Sequence, residues 1–384
     1  MYVHSFTGLP VLWIETENRE DIVSKEDYLN AQFRLVEDVV TRGTGDIINF
    51  DAKIKGRGNS TWLLPKKPYR IKCDKNISIL GMPEGKSWVL LANYADKSML
   101  RNHLAMYLGA MSNLDYTPRM KMVEVMLNGR YQGTYQLSEK VQIAKNRVVT
   151  DGFLLEMDSY ADKEQDAIWF RTKRLPQPIN IKDSKSDLTS EDIYYIKEYF
   201  QKAEDVLYSD EFKDYNTGWR KYFDEESFAD WYIINEIAKN WDAVRWSSTY
   251  MTLPKSGKLK MGPLWDYDIA FGNASREDGC DASPEGWQIR KQVWFSRLFE
   301  DESFVELVKE RFIFFVDAEE SAFNELNEQA QYLKRSAYEN DCKWNILYNH
   351  TWRNLDIWGN YLNEAQLLKE WLRTRMDWIV FNFN

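Results

Sequence analysis

The hydrophobic period of the chain changes near its middle. Up to about residue 160, apolar positions alternate with polar ones or gather in short runs between turns; from about residue 189 they recur at helical spacing. The first pattern predicts strands and hairpins, the second amphipathic helices. Residues 11–14, 28–36 and 50–55 read as strands. At 68–74, Tyr69, Ile71 and Cys73 alternate with Arg70, Lys72 and Asp74, which places Arg70 and Lys72 on one polar face of a half-buried strand. Residues 121–127 and 131–137 flank Asn128-Gly129, a pair that tolerates the positive φ angles of a two-residue hairpin turn. Residues 152–158 predict one more strand, and 160–187 an irregular stretch apart from 179–182.

One helix is expected within the front half. Leu100, Leu104, Leu108 and Met111 share a face over residues 97–111, behind Asp96 as its cap. Further back, helices are expected over 190–208, 225–240, 303–330 and 364–381. Segments 246–253 and 258–264 form a strand pair between them, joined by a turn at 255–257. A strand-rich front and a helix-rich back make an α+β arrangement. It divides into a small strand-rich lobe over 1–158 and a large helical lobe over 159–384.

With 384 residues, 44% hydrophobic and 15% aromatic, the chain can bury one large or two moderate cores. Its 60 acidic against 50 basic residues oppose nucleic acid and anionic membrane as partners. No apolar run of about 18 residues predicts a transmembrane segment. Three scattered cysteines and three histidines, His4, His103 and His350, offer neither a disulfide framework nor the spacing of a zinc site. Sixteen Trp and 22 Tyr could stack on sugars, which supports an alternative reading as a cell-surface carbohydrate-binding or adhesion protein. Most of these aromatics fall at core periods, leaving Trp62, Trp246 and Trp287 in loops.

The candidate chemistry centres on Asp266 and Asp268, two residues apart after an apolar run that reads as a strand. On a strand the two carboxylates share a face, and a hard divalent cation with phosphate oxygens compensates such a pair. Upstream, Gly56-Arg-Gly-Asn-Ser60 forms a glycine-rich turn between strands that could offer N–H groups to phosphates. Lys72 follows on the next strand, with Arg70 as its rival for a phosphate contact. Asp242 stands in a loop after the 225–240 helix and before the strand pair that delivers Asp266. Helix, acidic loop, strand pair and acid pair is the order of a protein kinase, so Asp242 becomes the candidate base.

Several longer strings carry a family resemblance: Lys-Gly-Arg-Gly-Asn-Ser-Thr-Trp at 55–62, Lys-Lys-Pro-Tyr-Arg-Ile-Lys at 66–72, residues 91–102 and 131–141, Asn235-Glu236, Asn240-Trp-Asp242, and 262–273, which opens Gly-Pro-Leu-Trp-Asp-Tyr-Asp. Together they resemble the CotH kinase family, the atypical protein kinases named for spore coat protein H, over nearly the whole chain. The resemblance implies a protein-kinase-like two-lobed fold with ATP and Mg2+ or Mn2+ as cofactors. It also implies transfer of the γ-phosphoryl group to Ser or Thr of a protein substrate, at an extracytoplasmic or cell-surface site with any leader removed.

By motif position it assigns Asp242 as catalytic, Asp266 as the principal metal ligand with Asp268 beside it, and Lys72, or its rival Arg70, as the phosphate contact. Arg57, Asn59 and Ser60 fall in the loop over the nucleotide, and 137–140, including Glu139, near the hinge that meets adenine. Two positions depart from a typical kinase. Ser247 stands where an Asn would hold a second metal, leaving Asn240 or Asp268 as its replacement. The helix at 97–111 has no Glu, so an acidic partner for Lys72 falls to Glu139 or Glu156. A pseudokinase or nucleotide-binding module is the alternative these departures raise.

Overall fold

The amino-terminal strands close on themselves. In the computed structural model, which describes residues 7–37, 47–243, 245–274, 279–351 and 357–383, the first seven strands are β1 (Val11–Thr16), β2 (Leu29–Val36), β3 (Ile47–Gly56), β4 (Tyr69–Ile79), β5 (Met82–Leu91), β6 (Met120–Leu127) and β7 (Arg130–Glu139). They form a closed barrel in the order β1-β2-β3-β4-β5-β7-β6. Parallel pairing of β1 with β6, from Val11 opposite Glu124 to Ile14 opposite Leu127, completes the ring. Closure removes the sheet edges that an open strand array would expose.

Alternation along each strand decides what enters the barrel. Leu12, Ile14, Phe33, Leu35, Ile54, Ile71, Val123, Val125 and Leu137 belong to one buried cluster, so the residues between them point outward. Arg70 and Lys72 lie outside the barrel, Arg70 half-buried and Lys72 exposed, as the alternation at 68–74 requires. The β6–β7 turn has Asn128 at φ 50° and Gly129 at φ 76°, the left-handed pair its sequence favours.

This barrel unit consists of Met1–Leu100, Arg119–Lys140 and Asn324–Leu367, and so takes in α6 (Glu319–Trp344) from Asn324 onward. That helix buries polar groups against the outer wall. Lys66 donates from Nζ to Asn340 Oδ1 at 2.8 Å and to the Thr134 carbonyl, 4.5 Å from the Tyr135 ring centre. Burial pushes the Lys66 pKa down to about 7.

The second unit comprises Arg101–Pro118, Val141–Phe323 and Leu368–Asn384. Its antiparallel sheet runs β12-β11-β8-β10-β9, from β8 (Phe153–Met157), β9 (Trp169–Phe170), β10 (Ile179–Ser184), β11 (Thr249–Leu253) and β12 (Lys260–Met261). The strand expected to end the small lobe, at 152–158, is thus the wholly buried β8 at the middle of this sheet. Around it stand α1 (Arg101–Ala110), α2 (Ser190–Leu207), α3 (Glu225–Ile237), α4 (Val293–Leu298) and α5 (Glu302–Asp317), with α7 (Tyr361–Asn382) contributing from Leu368. The amino end of α2 is set by a reciprocal Thr189–Asp192 capping box.

Two helices differ most from their expected spans. The helix begins at Arg101 rather than at 97, because Asp96 Oδ1 accepts from the Ser98 amide (3.1 Å) and hydroxyl (2.6 Å) and Met99 sits at φ 57°. Asp96 therefore organises a turn and not a helix cap. The 303–330 helix is two helices, α5 and α6, which meet at Ala318. Among the described residues no helix is long and apolar enough to cross a membrane.

Candidate metal centre

Every residue of α3 from Ser227 to Ile237 is buried, which fixes where the helix delivers the chain at its carboxyl end. There Lys239 adopts φ 44° and the path turns. Asn240 Oδ1 accepts the Asp242 amide at 3.1 Å, while the Asp242 carbonyl accepts the amides of Arg245 (3.2 Å) and Trp246 (3.0 Å). Opposite, the Phe271 amide donates to the Ala238 carbonyl at 2.7 Å and ties the 262–273 loop to the end of α3. Asp242, Asp266 and Asp268 consequently converge, with one carboxylate oxygen of each within 4.8 Å of the others. Asp242 and Asp266 are half-buried and Asp268 is buried.

The acid pair does not lie on a strand, contrary to its sequence reading. Strand β12 ends at Met261, and Asp266 has φ 67°, in the left-handed region. The two carboxylates meet because of this backbone reversal and the turn at Asp268, not because alternate strand residues share a face.

Beneath the loop lies a set of buried amides. The Tyr267 hydroxyl donates to Asn235 Oδ1 at 2.9 Å, and Asn240 Nδ2 donates to the same oxygen at 3.1 Å. Asn235 in turn donates to the Trp231 carbonyl at 2.9 Å, inside α3. Asn102 Oδ1 accepts the Tyr267 amide at 2.8 Å, and Arg101 Nε donates to the Ala270 carbonyl at 3.1 Å. Burial drives the Tyr267 pKa far up, so its phenol stays a neutral donor. These polar residues hold the acids from below. Their sequence signal was an amide inside an apolar helix, Asn235 among Ile233, Ile234 and Ile237, which periodicity alone left without a role.

A second network reaches Asp266 from the sheet. Ser248, at φ 64°, donates its hydroxyl to Asp266 Oδ2 at 3.3 Å and its amide to Glu156 Oε1 at 2.9 Å. Glu156 projects from β8 and pairs with Lys182 of β10 at 3.2 Å, while Lys182 lies 3.7 Å from Asp158. Burial raises the Glu156 pKa. For Lys182, burial acts downward, but Glu156, Glu164 and Asp158 together outweigh it and raise its pKa, so the ammonium persists at neutral pH.

The Lys182 pairing settles one candidate partner for Lys72. Glu156 pairs with Lys182 instead, and the buried Glu139 accepts Arg119 through its side chain at 3.0 Å and its amide at 2.9 Å. Asn240, considered as a replacement second metal ligand, spends its amide on Asn235 and on the Asp242 backbone.

The remaining sequence candidates belong to the barrel unit. Lys72 faces outward opposite Lys53 and Ser87. Arg70 lies opposite Lys55 and Val89, and its Nε is buried with no hydrogen-bond partner among the described residues. Arg57, Asn59 and Ser60 follow β3. At Gly56 a Cβ would stand 2.4 Å from the Trp62 ring, so this glycine answers the packing of Trp62. Of the other loop aromatics, Trp246 lies under the Arg245 guanidinium at 4.8 Å, and Trp287 packs edge-on against Trp378 and Phe383. His103 lies in α1 and His350 is exposed, while His4 falls outside the described residues.

The family model described as CotH kinase protein matches residues 54–379, from within β3 into α7. Comparison with curated proteins gave no match. The matched span contains the three converging aspartates, the asparagines beneath them and the glycine-rich turn after β3, and on that nearly full-length match the chain belongs to the CotH kinase family.

Proposed function

We propose that this protein transfers the γ-phosphoryl group of ATP to a Ser or Thr hydroxyl of a protein substrate, with Asp266 and Asp268 as metal ligands and Asp242 as the base. The observation that carries this reading is the convergence, within 4.8 Å, of three carboxylates from two loops, the one after α3 and the one after β12. An all-oxygen donor set of this kind suits Mg2+ or Mn2+. When bound, such an ion offsets the charge of the phosphate oxygens.

The chain's own residues divide the remaining work. Ser248 and the Tyr267 amide, held by Asn102, orient Asp266, which with Asp268 would hold the ion. Asp242, anchored through its amide by Asn240, accepts the proton of the attacking hydroxyl. By motif position, Arg57, Asn59 and Ser60 with Lys72 or Arg70 are assigned to the nucleotide phosphates. The buried, unsatisfied Nε of Arg70 favours it for that contact. The Glu139 carboxylate is committed to Arg119, and the backbone at 137–140 is paired to β5 and β6 on its two sides. In this reading the barrel unit corresponds to a kinase small lobe and the sheet-and-helix unit to the large lobe.

The test uses γ-labelled ATP, Mg2+ or Mn2+ and the Ser-rich protein casein. Label should enter casein with the parent and not with Asp242→Ala. Calorimetric ATP–Mn2+ binding should survive in Asp242→Ala and vanish in Asp266→Ala. Binding without transfer by the parent would favour a nucleotide-binding pseudokinase; absence of both would overturn the proposal.

A further inference from the structure

The barrel carries a second concave surface, which the phosphotransfer reading does not use. It is a cavity of about 610 Å³ on the outer face of β1, β2 and β3, within the roughly 300–1,000 Å³ span of small-ligand pockets. Its floor is a grid set by strand register. Trp13, Arg34 and Asn49 lie side by side across the three strands, and Glu15, Gln32 and Asp51 form the adjacent row. Rows of this kind are about 6.8 Å apart along the strands, with about 4.8 Å between neighbouring strands. All six residues are exposed, Trp13 at 38%.

We infer that this face is a binding site for a neutral glycan. A pyranose has an apolar C–H face and a rim of hydroxyls. The first suits the exposed indole; the second suits planar amide, carboxylate and guanidinium groups that can each engage neighbouring hydroxyls. Charge balance selects neutral sugars. Glu15 and Asp51 offset Arg34 and Arg19, and Arg19 is already paired with Glu15 at 2.9 Å. A nucleotide or an acidic polysaccharide would meet no net positive field there. A peptide strand would find no free edge, because β1 is paired on both sides, to β2 and to β6. The loop tryptophans that could stack on sugars from their sequence positions are packed against other side chains, whereas Trp13, on a strand, presents its ring outward.

The experiment is affinity electrophoresis of the full chain through gels containing hydroxyethylcellulose, xylan, glycol chitin or polygalacturonate, followed by calorimetry with cellohexaose, xylohexaose or chitohexaose. At least one neutral polysaccharide should retard the protein. Trp13→Ala should weaken that binding about tenfold, as should Asn49→Ala or Gln32→Ala, whereas the exposed Trp358→Ala should not. Asp242→Ala should bind the glycan as the parent does, which separates this inference from the phosphotransfer reading. If Trp13→Ala fails to fold, the Asn49 and Gln32 variants decide. No retardation by any neutral polysaccharide, retardation by polygalacturonate alone, or undiminished binding in folded Trp13, Asn49 and Gln32 variants would overturn it.

Discussion

Ser248 donates its hydroxyl to Asp266 Oδ2 across 3.3 Å while Glu156 holds its amide, so a carboxylate of the acid cluster is coupled to the ion pair between the buried Glu156 and the more exposed Lys182. Lys182→Met strands the Glu156 charge and should cost about 1–3 kcal/mol of stability. The double variant Glu156→Gln/Lys182→Met should regain most of that loss in urea unfolding. Its turnover should stay below the parent's, because the anchor of Ser248 has changed. Full recovery of turnover would show that the pair serves stability alone.

Metal affinity should follow the acids unequally. Asp266→Asn and Asp268→Asn each remove a charged oxygen donor and should weaken Mn2+ binding, read by electron paramagnetic resonance, by about tenfold or more. Asp242→Asn should change it less while abolishing transfer. An equal loss at all three positions would make Asp242 a ligand rather than the base. Chelation by EDTA should stop transfer, and added Mn2+ should restore it.

The amides under the loop give a graded prediction. Tyr267→Phe deletes a buried hydroxyl whose acceptor, Asn235 Oδ1, keeps its bond from Asn240, so the cost should be about 1 kcal/mol. Asn235→Leu leaves the Tyr267 hydroxyl and the Asn240 amide without their shared acceptor and should cost about 2–3 kcal/mol. Denaturant midpoints check both values. A reversed order would remove Asn235 from the centre of this network.

Lys66 makes the barrel sensitive to alkaline pH in a defined sense. Its folded pKa, about 7, lies below the ordinary lysine value of 10.5. Between these values the unfolded chain binds the extra proton, so the contribution of Lys66 to stability rises with pH and is lost as pH falls towards 7. Unfolding free energies from pH 7 to 9 should therefore increase more steeply for the parent than for Lys66→Met. Identical slopes would place the Lys66 titration outside this window.

Local pattern was sufficient wherever the cause is local. Alternation placed Arg70 and Lys72 on the outside of β4, Asn128-Gly129 set the β6–β7 turn, and helical periodicity located most of α2, α3 and α7. The three converging acids, Asp242, Asp266 and Asp268, were legible as residue types in their order along the chain. Strand alternation does not bring Asp266 to Asp268; the left-handed φ of Asp266 does, and it leaves no trace in a hydrophobic period. The turn at Ser98 and Met99 escaped periodicity for the same kind of reason, because a side-chain hydrogen bond and a backbone reversal decided it.

The sequence by itself determined the α+β composition, the strand faces and the family to which the chain belongs. Only the tertiary structure decided that β1 meets β6 to close a barrel, that Glu156 answers Lys182, and that Asn102, Asn235 and Ser248 hold the acid loop. Each of these joins segments far apart in the chain. Their pairing depends on where the folded backbone brings buried polar groups that must satisfy one another, and the sequence period of any single segment carries no record of its distant partner.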